Sequence, residues 1–179
     1  MPVPEAPLER TDSGLVPKGA GWFVVNAREA RWYDNRDFGQ FTRFEGDDDA
    51  RFGQLGINIG IIQPGQPSCM YHRENAQEDF LVLYGECLLL VEEEERRLQT
   101  WDFAHCPPGT NHVFVGAGDG PCAILAVGFR PAEEELVYPA SELAQRHRAG
   151  AEKDTPNPAE AYAPYSRSTE TSYQDGWLP

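Results

Sequence analysis

An all-β antiparallel sandwich or barrel is the fold this chain predicts. Three observations carry it. Short runs alternate apolar with polar side chains, tight turn signals stand between them at Pro64-Gly65, Gly85-Glu86 and Pro108-Gly109, and no helical periodicity intervenes. Strands this short and this closely spaced argue for antiparallel pairing in two packed layers.

Taken in order, residues 1–20 are rich in Pro, Gly and charge and are expected to form an extended or mobile arm. Residues 21–25, 30–33 and 41–44 read as short β-segments, and 46–49 as a charged turn. Leu55–Ile62 alternates, with Ile57, Ile59 and Ile61 on one face, and is closed by Pro64-Gly65. Met70, His72 and Glu74 share one face of the next strand because side chains repeat with period two. Asn75-Ala76-Gln77 turns the chain, and residues 79–84 return it. A hairpin is therefore expected to bring Glu78, at the start of the return, beside His72 and Glu74. Residues 87–91 form a buried-type strand, and 92–95, four consecutive Glu, read as a solvated tip balanced by Arg96 and Arg97. Segments 103–107, 112–115 and 122–127 complete the strand series. Beyond Arg130, residues 141–150 are a helix candidate with Ser141 at its N-cap and Gly150 past its end. Residues 155–162 add one more helical turn, and the remainder is polar and irregular. The expected division is an arm over 1–20, a barrel over 21–130, and a helical and irregular extension over 131–179 packed on the barrel.

Composition excludes some functions. At 179 residues the chain suits one domain with a full core. Lys plus Arg number 15 against 29 Asp plus Glu, giving a net charge of −14. Such a surface repels phosphate backbones and anionic membranes, so neither nucleic acid nor membrane is an expected partner. No helix-turn-helix pattern stands in either flank. The N-terminus has no basic region followed by an apolar one, and no apolar run approaches the length of a membrane span, so a cytoplasmic location is expected. The four cysteines form no C-x-x-C pair and are expected to be free thiols, three of them in apolar runs.

The chemistry concentrates between Gly65 and Gly116. His72, Glu74 and Glu78 are followed after six residues by Gly85, and Pro107, Gly109 and His112 follow later. Two His and two Glu at these spacings suit a metal site. These motifs resemble the cupin superfamily, whose first motif is G-x5-H-x-H-x3-4-E-x6-G and whose second is G-x5-P-x-G-x2-H-x3-N. His72, Glu78 and Gly85 match the ligand His, ligand Glu and turn Gly of the first, and Pro107, Gly109 and His112 match the core of the second. There are departures. Glu74 replaces the second His, Gly65 lies one residue too far upstream, Trp101 replaces the opening Gly of the second motif, and Gly116 replaces its Asn. The resemblance implies a double-stranded β-helix, or jelly-roll, barrel. It also implies a divalent metal held by His72, Glu74, Glu78 and His112.

Imidazole and carboxylate ligands suit Zn, Mn, Fe, Co or Ni. Two Glu make the site formally neutral, and without Glu74 the other three form the two-His-one-carboxylate set of non-haem iron oxygenases. Alternation places Met70, Phe80, Val82 and Phe114 as pocket lining, and Tyr84 as the residue to hydrogen-bond a ligand or donate a proton. His105 reads as outward-facing and His147 as solvated. The expected function is metal-dependent chemistry, of dioxygenase or isomerase/lyase type, on a small chelating or oxygen-rich molecule. The alternative is a non-enzymatic binding or sensor protein. A homodimer is expected, joined through the strands around Trp22, Trp32 and Tyr33 and the helix after the barrel.

Overall fold

The computed structural model describes residues 1–179 and is mostly β. Its strands are β1 (Leu8–Thr11), β2 (Gly14–Pro17), β3 (Trp32–Asn35), β4 (Gly39–Arg43), β5 (Leu55–Ile62), β6 (Arg73–Glu74) and β7 (Glu78–Tyr84). They continue with β8 (Glu86–Val91), β9 (Glu94–Gln99), β10 (Phe103–Cys106), β11 (His112–Ala117), β12 (Cys122–Phe129), β13 (Leu136–Val137) and β14 (Thr169–Thr171). Two short helices, α1 (Glu142–Arg146) and α2 (Pro158–Ala161), lie in the C-terminal third. No helix is long and apolar enough to cross a membrane.

A seven-stranded sheet has the order β10-β7-β12-β5-β4-β3-β14, and a three-stranded sheet the order β11-β8-β9. Every strand pairing in both is antiparallel. Alternation gives each sheet an inner face. Ile62, Phe80, Val82 and Ile124 of the larger sheet meet Cys87, Leu89 and Phe114 of the smaller in one buried cluster. Each fully buried side chain of this kind contributes roughly 1.5–3 kcal/mol. Both outer faces are covered too. Trp32, Ile59 and Ile61 lie under Tyr173 and Trp177, while Leu90, Val113 and Val115 lie under Leu143 and Ala144 of α1. Ser141 caps α1 as its sequence predicts, its Oγ accepting the Ala144 N–H at 3.0 Å.

Several expectations are corrected. Within the segment read as an arm, β1 and β2 form a hairpin that buries Val16. Residues 21–25 form no strand, and Trp22 makes only a single bridge to Glu5. The C-terminal stretch is not all irregular, because β14 adds to the edge of the large sheet beside β3. β6 and β7 are not a hairpin. β6 pairs with β13, while β7 pairs with β10 and β12. Residues 75–77 thus carry the chain from one sheet to the other, and that crossing sets up the site.

The Glu-rich tip is not simply solvated. Glu92 and Glu93 adopt left-handed φ angles of 47° and 64°, a conformation that costs an L-residue about 1–2 kcal/mol. Three contacts hold it. Glu92 accepts the Asn111 N–H at 2.7 Å, Tyr71 Oη accepts the Glu93 N–H at 3.3 Å, and the Glu93 carboxylate accepts the Ser141 hydroxyl at 3.1 Å. Arg96 pairs with Glu94, whereas Arg97 turns to Glu86.

Candidate metal centre

Residues 65–72 run antiparallel to β11 and extend the small sheet by an irregular fourth strand. The pairing passes through Gly65 and Gly116, Ser68 and Phe114, and ends at a His72–His112 bridge. Gly116 is forced by this approach. A Cβ there would lie 2.1 Å from the Gln63 carbonyl oxygen, so the Asn of the motif has no room. On the other side, residues 107–110 make a tight turn with Pro108 second and Gly109 third at φ 87°, closed by the Thr110 N–H on the Pro107 carbonyl. That turn delivers His112 as the first residue of β11. Trp101, where the motif has Gly, keeps a left-handed φ of 75°.

Two sheets therefore contribute to one site. His72 and His112 come from the small-sheet side and Glu78 from the first position of β7. His112 Nε2 lies 3.3 Å and His72 Nε2 3.9 Å from Glu78 Oε2. One donor atom from each of the three residues lies within 4.8 Å of the others. Donors bound at about 2.1 Å to one ion stand about 3.0–3.4 Å apart, so a modest contraction closes this set on a divalent metal. Both imidazoles are oriented for that. His72 Nδ1 donates to the Met70 carbonyl at 2.8 Å and His112 Nδ1 to the Thr110 carbonyl at 3.0 Å. A carbonyl only accepts, so each Nδ1 carries its proton and each Nε2 faces the cluster. Glu74 stands beside the set rather than in it, with Oε1 3.6 Å from His72 Nε2.

The charges of the four groups differ by environment. Burial opposes a charge on His72, but Cys69, Glu74 and Glu78 outweigh it and hold the imidazole well above its ordinary range. The contact with His72 keeps Glu74 below the usual carboxylate range, against the pull of burial. Burial pushes Glu78 up to about 7, with His72 opposing and Glu74 reinforcing. His112 is pushed down to about 4 by burial and by His72. The cluster thus holds protons that a divalent cation would displace.

The site opens into a cavity of about 810 Å³. Phe80 and Phe114 line it as the sequence predicts, their rings 4.6 Å apart, with Phe80 also 5.3 Å from His112. Met70 and Val82 do not line it, and each is only 1% exposed. Period two fails in the irregular stretch before His72, so Met70 packs on Phe38 and Tyr138, and Val82 is sealed between the sheets. Tyr84 is also displaced. The β7–β12 register slips by one residue between Val82 and Tyr84, pairing Tyr84 with Ala123, and Tyr84 ends 45% exposed outside the cavity. His105 faces outward against Asp79 at 2.6 Å. His147 is tied to Glu95 at 2.9 Å rather than free in solvent. All four cysteines are free, and Cys69 lies at the cavity wall with Sγ 3.7 Å from His72 Nδ1.

Sequence reasoning missed the opposite wall. Tyr138 and Tyr162 line the cavity from the C-terminal third, the Tyr138 ring 6.2 Å from that of His72. Burial pushes the Tyr138 phenol up to about 12. Ser166, Arg167 and Ser168 line it as well, and Arg43 does so from β4. Nothing in the local sequence marks these residues, because their place depends on how the extension folds back.

Comparison with known proteins follows the same central segment. Residues 58–128 match the family model described as a cupin domain. A polyketide cyclase from Streptomyces resistomycificus superposes with a TM-score of 0.53 at 15% identity, over 63% of this chain and 83% of that one. A protein from Thermotoga maritima described as a predicted oxalate decarboxylase gives 0.53 at 16% identity, over 61% of this chain and all 100% of that one. These two likenesses show a shared fold. A sugar phosphate isomerase of the cupin superfamily from Silicibacter pomeroyi is 27% identical with a TM-score of 0.49, over 57% of this chain. The match spans 66% of that isomerase, just under two thirds of its length. A search of curated protein sequences gives no significant match. With its motif residues gathered near one site and its two sheets packed face to face, the central segment, residues 58–128, is similar to the cupin domain.

Proposed function

We propose that this protein is a metal-dependent enzyme whose two sheets wrap as a double-stranded β-helix barrel around a small, oxygen-rich substrate. The observation that carries this reading is the His72–Glu78–His112 set, oriented by backbone carbonyls and opening into a cavity large enough for a metabolite. A divalent ion held there would supply a Lewis acid with open positions for chelating substrate oxygens.

The chain's own residues do the rest. Met70 and Thr110 fix the imidazoles through their carbonyls, and Phe80 and Phe114 present an apolar wall that excludes water. Glu74 lines the cavity as a carboxylate outside the donor set. That position favours proton transfer, with Glu74 taking a proton from carbon or hydroxyl of a bound substrate. Isomerase or lyase chemistry is therefore the reading we adopt, and dioxygenase chemistry the second. Protein reconstituted separately with Mn, Fe, Ni and Zn, and incubated with hydroxy- and oxo-acid or sugar substrates, tests it. Solvent-deuterium incorporation that Glu74→Gln abolishes while metal content stays constant supports the reading. Oxygen consumption without exchange moves it to the dioxygenase, and ligand binding without either supports a binding or sensor protein.

The homodimer is part of the same proposal, on a revised surface. Trp32 is buried under the chain's own Trp177, which leaves Trp22, Trp101 and Phe103 as exposed apolar groups. Light scattering at micromolar concentration checks it, and a monomer mass refutes it.

A further inference from the structure

The chain is acidic, and most of its cations have acidic partners. Arg10, Lys18, Arg31, Arg36, Arg96, Arg97, Arg130 and Lys153 each lie within 4.0 Å of a carboxylate. Arg43 and Arg167 have neither a carboxylate at that distance nor a hydrogen bond, and both line the cavity of the His72–Glu78–His112 set. Arg51 and Arg146 lack such partners as well, but Arg43 and Arg167 are the two that share the cavity of the candidate metal donors.

Both arginines are placed by built structure. The Arg43 guanidinium lies over Tyr33 and Phe41 at 5.7 and 5.3 Å, and those rings stack on each other at 5.0 Å. Stacking uses the face of a guanidinium and leaves its N–H edge for an anion. Arg167 stands between two pinned neighbours. The Ser166 N–H bonds Asp37 at 2.8 Å, and Asn35 Nδ2 bonds the Ser166 carbonyl and Ser168 Oγ at 3.0 and 3.1 Å.

Register gives the separation. Arg43 pairs with Asn58, Asn58 with Ala126 and Ala126 with Phe80, and all four line the cavity. Three strand spacings put the Arg43 backbone about 14 Å from that of Phe80, the residue against His112. One row of the sheet thus runs from the metal donors to a guanidinium, with the Asn58 amide between.

We infer that the cavity takes a two-ended organic anion, its chelating oxygens at His72, Glu78 and His112 and a distal carboxylate or phosphate at Arg43 and Arg167. The chelating end rests on the metal reading above, while the distal end stands on the arginines alone. A surface of net charge −14 repels free anions, so selectivity for this class has to come from within the cavity.

The test compares matched ligands on Mn-loaded protein by calorimetry. 2-Oxooctanedioate is set against 2-oxooctanoate, which lacks the distal carboxylate, and 6-phosphogluconate against gluconate, because shorter chains cannot bridge the donors and the Arg43 guanidinium. At least one tailed ligand is expected to bind about tenfold or more tightly than its untailed partner, as a charge-assisted pair would give. The pair with the larger gap identifies carboxylate or phosphate. Arg43→Gln and Arg167→Gln should each reduce the gap while leaving the untailed affinity unchanged. Equal affinities for tailed and untailed ligands, or arginine variants that weaken both alike, overturn the inference. Manganese uptake is measured first by electron paramagnetic resonance. If none is taken up, the metal reading fails, and 6-phosphogluconate binding to the metal-free protein decides the arginine end. Binding weakened by Arg43→Gln upholds that end, and no binding overturns it.

Discussion

His72 and His112 bond to each other backbone to backbone, N–H to carbonyl at 3.2 Å and the reverse at 2.8 Å, while each ring hands its Nδ1 to a carbonyl two residues earlier. The ladder that holds the two strands together also sets the spacing of two candidate metal donors. Neither imidazole can reorient without breaking a hydrogen bond, so the site is organised before any ion arrives.

Replacing His112 by Ala should abolish stoichiometric metal binding while leaving the fold intact, since the cavity takes up the lost volume. Elemental analysis after reconstitution, beside a circular dichroism spectrum, checks this. A full complement of metal in folded His112→Ala protein would show that the donors lie elsewhere.

Metal affinity should fall in acid. With Glu78 raised to about 7, a proton competes with the ion below that pH, and His72 carries a second competing proton. Each displaced proton weakens apparent affinity about tenfold per pH unit below its pKa. Titration between pH 5.5 and 8 should show affinity rising with pH. Calorimetry in two buffers of different ionisation heat should show proton release, and a flat profile would contradict the assigned protonation states.

Glu92→Ala should loosen the metal site from a distance. The Glu92 carboxylate holds the Asn111 N–H next to His112, and Arg73 holds the Asn111 side chain at 3.1 Å. Loss of such support lowers metal affinity about tenfold or more. Unchanged affinity, measured by competition with a chelating dye, would confine Glu92 to the tip.

The Glu45–Arg130 pair makes a separate prediction about stability. Arg130 reaches both Glu45 oxygens at 2.7 and 2.8 Å, and the Phe52 N–H adds a third bond at 2.9 Å. Burial pushes the Glu45 carboxyl up, but these bonds prevail and hold it below its ordinary range. A depressed carboxyl contributes stability above its unfolded value and loses it as pH falls through the folded one. Glu45→Gln should therefore cost about 2 kcal/mol at neutral pH, with the gap to wild type narrowing below about pH 4. Urea denaturation at several pH values reads both effects.

The central strands and the His72–Glu78–His112 set were legible because they carry regular alternation, a spaced motif or a turn residue with one conformation, as Gly109 does, whereas Glu74 stands beside that set. Legibility failed where period two breaks. The irregular stretch before His72 turned Met70 into the core, and the register slip beyond Val82 moved Tyr84 to the surface. It failed again for Tyr138, Tyr162 and Arg167, which reach the cavity by long-range folding of the extension.

The wall formed by residues 159–168 has a consequence for the order of assembly. All the strands that carry His72, Glu78 and His112 leave the ribosome before that wall does. The nascent chain can pair those strands while the cavity still lacks Tyr162, Ser166 and Arg167. The candidate donors would then stand on an open face, within reach of a solvated ion. Docking of residues 159–168 afterwards completes the wall, so an ion would reach the candidate donors more freely before that closure than after it.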